Sequence, residues 1–311
     1  MIINTGCRTD IPAFYAEWFI NRIKEGYVLV RNPYNPSQVT KYSLKPEVVD
    51  CLAFCTKNPE PILPYRKVLQ PYQQYWFVTI TPYGKEIEPN VPDKEKVIES
   101  FQKLSQEVGI DSIGWRYDPI FIGMGFSVKR HIEAFQKMAK VLKGYTKNCT
   151  ISFLDLYEKV KRNAPNIYPP SREETIELAK AFSQIGKENG MTIHACCEKT
   201  YLEEYGIDCK GCMTQEIVEK AIGEKLNPPK RKNIRESCNC LMGNDIGAYD
   251  TCGHLCKYCY ANTNSRLVKE NRKRYNPLSP FLLGEKEEGD KITEAKQESW
   301  KVQNKQISFF E

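Results

Sequence analysis

The chain has 311 residues, of which 41% are hydrophobic and 27% charged, and its formal net charge is +6. This composition suits one large domain or two small ones and excludes an intrinsically disordered chain. No apolar run approaches the roughly 20 residues of a membrane span, and the N-terminus lacks the pattern of a secretory signal. We therefore expect a cytoplasmic protein with no membrane partner, and the mild basic charge permits an anionic partner such as nucleic acid.

Short apolar runs alternate along the chain with segments of helical spacing. The strand-like runs are MIIN, YVLV, CLAFCTKNP, YWFVTITPYG, DSIGWRYDPI, CTISFLDLY and MTIHACCE. The helical segments include AFYAEWFINRIKEG, DKEKVIESFQKLSQEVG, KRHIEAFQKMAKVLKGY and SREETIELAKAFSQIGKENG. Alternating strands and helices indicate βαβ units and a parallel sheet. About seven or eight units predict an α/β fold with a TIM-like (β/α) barrel, complete or partial; an open doubly wound sheet is the alternative.

The last of these helical segments carries its own start and stop signals. Ser171, followed three residues later by Glu174, is a capping-box pattern. Gly190 suits the position just past a helix C-terminus, where a left-handed conformation is common. The sequence therefore predicts a helix between these two signals.

Polar residues follow the apolar runs, where the carboxyl ends of barrel strands would lie. Catalytic residues of such barrels come from that face, so together these side chains predict a polar cavity. They are Arg8, Thr9, Asp10, Thr56, Lys57, Asn58, Thr81, Tyr83, Arg116, Tyr117, Asp118, Asp155, Tyr157 and Glu198.

The composition changes after residue 205, where cysteines become dense. We assign residues 1–204 to the barrel core, 205–265 to a cysteine-rich region that binds a cluster and closes the barrel, and 266–311 to a C-terminal extension and tail. The cysteine-rich region holds one helical segment, TQEIVEKAIG. The polar stretch from Glu285 onward predicts a surface helix or a flexible tail.

The stretch DTCGHLCKYCYAN places Cys252, Cys256 and Cys259 in a C-x3-C-x2-C pattern. Thirteen cysteines in a chain without a secretory signal favour metal or redox use over disulfides. Thiolates are soft ligands that suit iron–sulfur clusters and zinc. A [4Fe–4S] cluster usually takes four cysteines, so three of them leave one iron open to another ligand.

This spacing resembles the signature of the radical S-adenosylmethionine superfamily. The resemblance implies a [4Fe–4S] cluster on the three cysteines and S-adenosylmethionine chelated at the open iron. It also implies that Tyr258 packs near the adenine and that an electron donor such as a flavodoxin or ferredoxin reduces the cluster. In most members of that superfamily the loop follows the first strand, whereas here it comes late. A loop after the last strand of a closing barrel can still stand beside the first strand.

Zinc is the alternative occupant of this region. Cys238 and Cys240, together with Cys256 and Cys259, would make a tetrahedral site of four thiolates. That assignment leaves Cys252 unused and does not explain the three-residue gap. Ligand count and spacing therefore favour the cluster.

The remaining cysteines predict a second metal site. We choose Cys196, Cys212, Cys238 and Cys240 as ligands of an auxiliary [4Fe–4S] cluster, with a structural zinc as the competing occupant. Cys197 and Cys209 are the substitutes. Those in or beside apolar strands are expected to be small core residues, namely Cys7, Cys51, Cys55 and Cys149.

Several blocks of the sequence together resemble DUF1848, a bacterial family of unknown function that is associated with anaerobes. They are CRTDIPAFYAEWFINRIKEGYVLVRNP, TKNPEP, TPYGKEIEPNVPDK, WRYDPI, SFLDLYEKVKRN and CNCLMGNDIGAYDTCGHLCKYCYAN. Family members commonly carry an arginine where this chain has Cys7 and a tryptophan where it has Cys55, which argues against either being a required ligand. The resemblance implies that the cysteines of both predicted sites are the family's recurrent ones.

The C-terminal QISFF, with Gln306, Phe309 and Phe310, resembles the peptide by which bacterial DNA-processing proteins dock on the sliding clamp. Two adjacent aromatic side chains would fill a pocket while the glutamine fixes orientation. The alternative is that the two phenylalanines fold back onto the protein. With the basic charge, the resemblance makes DNA and the sliding clamp candidate partners.

Three functions follow from these patterns. The first is a radical enzyme with an unidentified substrate, such as a nucleic acid that it modifies or repairs. Its cavity residues would hold the substrate or the carboxylate of S-adenosylmethionine, which suits Arg8 and Arg116 as cofactor-binding groups. The catalytic candidates are Arg8, Asp10, Lys57, Arg116, Asp118, Asp155 and Glu198.

The second function is a non-enzymatic iron–sulfur or zinc protein associated with DNA. The third is a hydrolase that uses Asp118 and Asp155, and this alternative leaves the cysteines unexplained.

Overall fold

A computed structural model of the protein describes residues 1–230 and 238–302. Its strands are β1 (Ile2–Asn4), β2 (Tyr27–Asn32), β3 (Asn35–Ser43), β4 (Cys51–Thr56), β5 (Gln74–Thr79), β6 (Ile113–Ile120), β7 (Ile122–Gly123), β8 (Asn148–Phe153), β9 (Ile167–Tyr168), β10 (Thr192–Ala195), β11 (Asn244–Asp245) and β12 (Lys291–Glu294). Its α-helices are α1 (Ile11–Phe14), α2 (Ala16–Glu25), α3 (Arg66–Leu69), α4 (Lys94–Val108), α5 (Val128–Leu142), α6 (Glu158–Asn163), α7 (Arg172–Glu188), α8 (Gln215–Ile222) and α9 (Ser265–Arg272).

A seven-stranded sheet organises the fold, with the strand order β10-β8-β6-β5-β4-β1-β11. Every neighbouring pair in it is parallel, which confirms the predicted α/β class. In the part of the chain that the structure describes, β10 and β11 are the two edges and the sheet is not closed. A complete TIM barrel is therefore not observed.

All the strand-like runs except YVLV supply a strand of this sheet. That run forms β2, which pairs antiparallel with β3 in a separate three-stranded sheet that β12 completes. The expectation that YVLV belongs to the alternating strands was wrong, because the next segment along the chain is its partner. The polar, exposed β3 gave no alternating pattern by which this hairpin could be recognised.

The polar stretch near the C-terminus is neither a surface helix nor a flexible tail in its described part. Its Lys291–Glu294 segment is β12, which pairs parallel with β3. Further along, Trp300 is 4% exposed and belongs to the main hydrophobic core. Backbone pairing and one buried indole thus fix a segment whose composition is almost entirely polar. The proposed clamp-binding residues Gln306, Phe309 and Phe310 lie outside the described residues.

The long helices follow the sequence signals closely. At the start of α7, Ser171 Oγ accepts a hydrogen bond from Glu174 N at 3.2 Å and Ser171 N donates to Glu174 Oε2 at 2.7 Å, so the capping box is confirmed. Past its end, Gly190 has φ of +73°, as a left-handed helix stop requires. Stacked aromatics fill the core beneath these helices, such as Phe135 with Phe182 at 3.9 Å between ring centroids.

No helix in residues 1–230 and 238–302 is both long enough and apolar enough to cross a bilayer. The carboxyl ends of the parallel strands all open toward one edge of the sheet, since parallel strands share a direction. The two groups of cysteines that the sequence singled out lie at this edge.

Candidate metal centre

The C-x3-C-x2-C loop is held against the end of the first strand by pairing of β11 with β1. Ile3 is opposite Asn244 and Asn4 is opposite Asp245 in this parallel ladder. The chain then turns through Asp250, which has φ of +56°. Within the loop Leu255 also has φ of +56°, a left-handed conformation that is costly for a branched residue. The late position of the loop in the sequence is therefore compatible with a place beside the first strand.

Gly253 lets this loop approach helix α1 closely. A Cβ at this position would lie 2.7 Å from Phe14 Cε1 and 2.0 Å from Arg272 Nη1. The guanidinium of Arg272 in turn lies over the Phe14 ring, 4.6 Å from its centroid. Glycine fits at this position without rearrangement, because the neighbouring ring and guanidinium occupy the space that a Cβ would need.

Residues 84–91, a segment between β5 and α4, clamp the loop from the other side. Asn90 Nδ2 donates to Gly253 O at 2.8 Å, and Asn90 N donates to His254 O at 3.2 Å. Lys257 N donates to Ile87 O at 3.0 Å. These three hydrogen bonds fix the backbone between the first and third cysteines.

The three thiols of the loop lie in a poorly solvated environment. Cys256 and Tyr258 belong to a small hydrophobic cluster with Tyr83 and Phe121, and Cys259 packs against it. Burial raises the pKa of all three thiols. For Cys252, the neighbouring charges of Asp10, Cys259 and Cys256 raise the pKa further. The raised pKa values favour neutral thiols, so a cation such as a soft metal centre would be needed to hold all three as thiolates.

Two further features around the loop fit a bound group. The backbone N–H of Ala261 donates to Cys259 Sγ at 3.3 Å, the kind of hydrogen bond that tunes cluster thiolates. Asn262 donates from Nδ2 to Cys252 O at 2.8 Å, yet its buried Oδ1 has no hydrogen-bond partner among the described residues. Buried carbonyl oxygens are nearly always satisfied, so this acceptor is available to a ligand.

Glu88 is the centre of a buried charge cluster beneath the loop. Its carboxylate accepts hydrogen bonds from Lys57 Nζ at 2.8 Å, from Thr81 Oγ1 at 2.8 Å, and from Lys94 Nζ and the Tyr258 hydroxyl. Burial alone would raise the pKa of Glu88, but the two lysines outweigh it and hold the pKa at about 2. The carboxylate is therefore ionised, and the cluster carries two positive charges and one negative.

The second group of cysteines lies around the end of β10. Cys212 Sγ lies 3.5 Å from both Cys196 Sγ and Cys240 Sγ. Cys197 hydrogen-bonds to Cys196 and to Cys238. With Cys197 and Cys238 included, the group has five thiols. Hydrogen bonds from Cys197 and Cys212, with burial opposing and Arg116 assisting, lower the pKa of Cys196.

The proposed substitutes in this group differ. Cys197 is in contact with the chosen ligands, whereas Cys209 Sγ is turned away and donates to Lys199 O at 3.7 Å. The Tyr75 hydroxyl beneath the group is buried without a hydrogen-bond partner among the described residues. Burial is the main cause that raises the pKa of the Tyr75 hydroxyl, and the charge of Cys212 raises it further.

As these side chains stand, no three His, Cys, Asp or Glu residues within 1–230 and 238–302 are arranged to hold a metal ion. A bound metal would therefore require thiols to turn about χ1, a change between staggered rotamers that cysteine makes readily. The soft donor set, the amide hydrogen bonds to sulfur and the unpaired polar atoms fit a thiolate-bound metal group. The choice of metal remains a prediction.

Arg116 lies beside the second cysteine group. It forms an ion pair with Asp118, lies 3.9 Å from Cys212 Sγ through Nη1, and stacks over the Phe77 ring at 5.0 Å. Its guanidinium is thus placed toward the second group. Burial opposes the charged form, but Asp118 and then Cys196 raise the pKa of Arg116.

Other candidate residues are engaged with the fold. Arg8 Nε forms an ion pair with Asp245 Oδ1 at 2.7 Å, which ties β1 to β11. Asp10 is the N-cap of α1 through Oδ1, and its Oδ2 accepts from Lys57 N at 2.8 Å. These bonds give each residue a structural role, and their catalytic or cofactor-binding roles stay predictions.

Glu198 and Asp155 border a cavity of about 400 Å³ beside the second cysteine group. Glu198 Oε1 accepts from Phe153 N at 2.8 Å and from Ser152 Oγ at 3.3 Å. Burial nevertheless raises its pKa to about 7. Asp155 accepts a hydrogen bond from the Tyr157 hydroxyl at 3.2 Å.

Two of the polar residues expected around the cavity are core residues. The Tyr83 ring stacks on Phe121 at 4.2 Å between centroids, and the side chain is 1% exposed. The Tyr117 hydroxyl is hydrogen-bonded to His131 Nδ1 at 2.8 Å in the fully buried interior. The Tyr83 hydroxyl donates to Pro119 O, so both hydroxyls have hydrogen-bond partners inside the protein and do not need water.

The cysteines of the apolar strands divide into two pairs. Cys51 and Cys149 are buried in the main core, whereas Cys7 and Cys55 are half-buried and face the region between the two cysteine groups.

Sequence reasoning missed Glu88, Asn90 and Asn262. They lie in blocks that resemble DUF1848, but no ligand spacing marks them. Glu88 and Asn90 act through hydrogen bonds to the distant cysteine loop, and Asn262 is notable for a buried oxygen that is unpaired among the described residues.

A family model described as a domain of unknown function, DUF1848, matches residues 2–261. The match includes both cysteine groups and the segment that clamps the C-x3-C-x2-C loop. No curated protein and no solved structure matches the chain.

Proposed function

The chain belongs to the DUF1848 family, and from its site we propose that it is a radical S-adenosylmethionine enzyme. Cys252, Cys256 and Cys259 would hold a [4Fe–4S] cluster with one open iron, and S-adenosylmethionine would bind there. The observation that carries this proposal is the position of three mutually interacting cysteines, one buried and two half-buried, at the carboxyl edge of a parallel sheet. The open seven-stranded sheet would act as a partial barrel around the substrate.

When bound and reduced by an external electron donor, such a cluster would supply the electron for reductive cleavage of S-adenosylmethionine to methionine and a 5'-deoxyadenosyl radical that would take hydrogen from the substrate. The protein positions these reactants. The clamp of residues 84–91 holds the loop backbone. The unpaired Oδ1 of Asn262 is an acceptor that suits an amino group. Tyr258, fixed through its hydroxyl by Glu88, would keep its ring in place for the adenine.

Exclusion of water from the site is the second contribution of the protein. Phe121, Leu154 and Val160 are buried around Cys256 and Tyr258 in one hydrophobic cluster. An apolar wall of this kind limits the access of solvent to a reactive centre. Cys252 and Cys259 are only half-buried, which would leave them accessible to a cofactor.

The second cysteine group would bind an auxiliary [4Fe–4S] cluster or zinc through four of its five thiols. Cys196, Cys212 and Cys240 are in direct contact through their sulfur atoms. Arg116, placed beside this group, offers a cationic neighbour to the thiolates. The neighbouring 400 Å³ cavity suits a small substrate or part of a larger one.

Anaerobic reconstitution with iron and sulfide tests the proposal. We expect a broad visible absorption band, and 5'-deoxyadenosine when S-adenosylmethionine and a low-potential reductant are added. Cys256→Ala should abolish the product and reduce the bound iron, whereas Cys209→Ser, which removes a thiol outside both groups, should retain both. Stoichiometric zinc without iron in protein prepared anaerobically would contradict the proposal and favour the non-enzymatic metal protein.

A further inference from the structure

We propose that Lys57 and Lys94, joined by Glu88, form an electrostatic device that raises the reduction potential of the metal group held by Cys252, Cys256 and Cys259. This inference rests on the proposed function, because it concerns a cluster bound at that loop. It gives Lys57 a role different from the substrate contact that the sequence suggested.

The geometry first shows that the charges are held in place. Lys57 Nζ lies 2.8 Å from Glu88 Oε1, and Lys94 Nζ bonds the other carboxylate oxygen. The Glu88 side chain is fully inaccessible to solvent, whereas those of Lys57 and Lys94 are 14% and 23% exposed. Thr81 Oγ1 donates a further bond to Oε1 at 2.8 Å. One carboxylate therefore fixes two ammonium groups.

The same carboxylate connects the charges to the cysteine loop. The hydroxyl of Tyr258, which lies between the second and third cysteines, donates to Glu88 Oε1. Lys57 Nζ lies 5.6 Å from the centroid of the Tyr258 ring, at cation–π distance. Lys57 also interacts electrostatically with the thiol of Cys256. The excess positive charge thus lies on the Cys256 side of the loop.

Other charged groups near the loop do not cancel this asymmetry at Cys256. Asp10 acts on Cys252, and its carboxylate is hydrogen-bonded to His254 Nε2 at 2.9 Å. Asp118 acts electrostatically on Lys57, but its own charge is balanced by the ion pair with Arg116. Lys57 and Lys94 together with Glu88 therefore leave one net positive charge beside Cys256.

Such a charge acts strongly because the surroundings are poorly solvated. Reduction adds an electron to a thiolate-bound cluster, and a nearby cation stabilises the reduced form more than the oxidised form. Net charge and burial are among the levers that set cluster potentials. Removing a lysine should therefore lower the potential, and neutralising Glu88 should raise it.

The experiment measures the potential of the reconstituted full-length protein by a mediated spectroelectrochemical titration. The signal followed is the one that Cys256→Ala eliminates, which separates it from the second cysteine group. The variants are Lys57→Met and Glu88→Gln, with Lys57→Arg as the charge-conserving rescue. Lys96→Met is the matched control, because Lys96 is an exposed lysine on the same helix as Lys94.

We expect Lys57→Met to decrease the ratio of reduced to oxidised cluster at least tenfold at a fixed potential. This change corresponds to a midpoint potential lowered by about 59 mV for one electron. Glu88→Gln should shift the ratio in the opposite direction, while Lys57→Arg and Lys96→Met stay near wild type. Circular dichroism checks folding, and if Lys57→Met does not fold, the sign of the Glu88→Gln shift decides.

Equal potentials for Lys57→Met and Lys96→Met, or a lowered potential for Glu88→Gln, would overturn the inference while the radical-enzyme proposal stands. If Cys256→Ala instead keeps the full iron content and spectrum of wild type, no cluster is bound by the loop. That result removes the proposed function itself, and the two failures are therefore distinct.

Discussion

His254 Nε2 donates a hydrogen bond to Asp10 Oδ2 at 2.9 Å across a sequence separation of 244 residues. This contact joins the C-x3-C-x2-C loop to the residue that caps the first helix. The same Oδ2 accepts from Lys57 N at 2.8 Å, so the ends of β1 and β4 meet the loop at one buried carboxylate. A loop that comes late in the chain is thereby placed where the first strand ends.

We expect Asp10→Asn to destabilise the metal-free protein by about 1–3 kcal/mol, because a charged buried acceptor with three hydrogen bonds loses strength. It should also slow iron incorporation, since the loop loses its anchor. Urea unfolding and iron uptake are the measurements. Glu17→Gln, an exposed carboxylate on α2, is the control. Wild-type stability and uptake in Asp10→Asn would show that the contact with His254 is dispensable.

Gly253→Ala should destabilise the protein by about 1–3 kcal/mol through overpacking. The new methyl would lie 2.7 Å from Phe14 Cε1, and the ring belongs to a short helix that cannot move without disturbing Asp10. Thermal unfolding measures the effect, with Gly289→Ala as the control, because no atom lies within 4 Å of a Cβ there. Partial recovery in the double variant Phe14→Leu/Gly253→Ala would identify the ring as the cause.

Much of the fold could be predicted because local signals and tertiary packing agree. The apolar runs that became β4, β5 and β8 are buried on both faces, and the capping box of α7 formed as expected. The exceptions are segments whose structure depends on distant partners. Tyr27–Asn32 forms a hairpin with an exposed polar strand, and Lys291–Glu294 completes that sheet from far along the chain.

The site divides in the same way. The spacing of Cys252, Cys256 and Cys259 pointed to one loop, and its residues do lie together. By contrast, Glu88 lies in a block that resembles DUF1848 but has no ligand spacing, and its importance arises from four donors that reach it from different elements. Pairwise hydrogen bonds across such distances leave no periodicity or spacing in a single sequence.

Stability at acidic pH should depend on Glu88. Its folded-state pKa of about 2 lies below its ordinary value of 4.5. A lowered pKa stabilises the folded state above pH 4.5, and this stabilisation disappears as the pH falls toward 2. The difference amounts to about 3 kcal/mol. We expect the unfolding free energy of metal-free wild type to fall between pH 5 and pH 3 more steeply than that of Glu88→Gln.

Equilibrium urea unfolding at several pH values gives this comparison, because other carboxylates titrate equally in both proteins. Lys94→Met should change the acid dependence in the same direction as Glu88→Gln, since one of the two compensating charges is lost. Parallel pH profiles for wild type and Glu88→Gln would contradict an ionised Glu88 between the two lysines.

The second cysteine group leads to a prediction about metal content. Cys212 Sγ lies 3.5 Å from both Cys196 Sγ and Cys240 Sγ, so it would be the central ligand of the proposed second metal group. Cys197 and Cys238 are adjacent and can replace one another, whereas Cys209 is bonded to Lys199 O outside the group. We therefore expect Cys212→Ser to lose the second metal group, Cys197→Ser to retain most of it, and Cys209→Ser to match wild type.

Metal and acid-labile sulfide per chain, measured after anaerobic reconstitution, distinguish these cases. Full metal content in Cys212→Ser, or its loss in Cys209→Ser, would contradict the ligand assignment, because the contacts give the two thiols opposite roles.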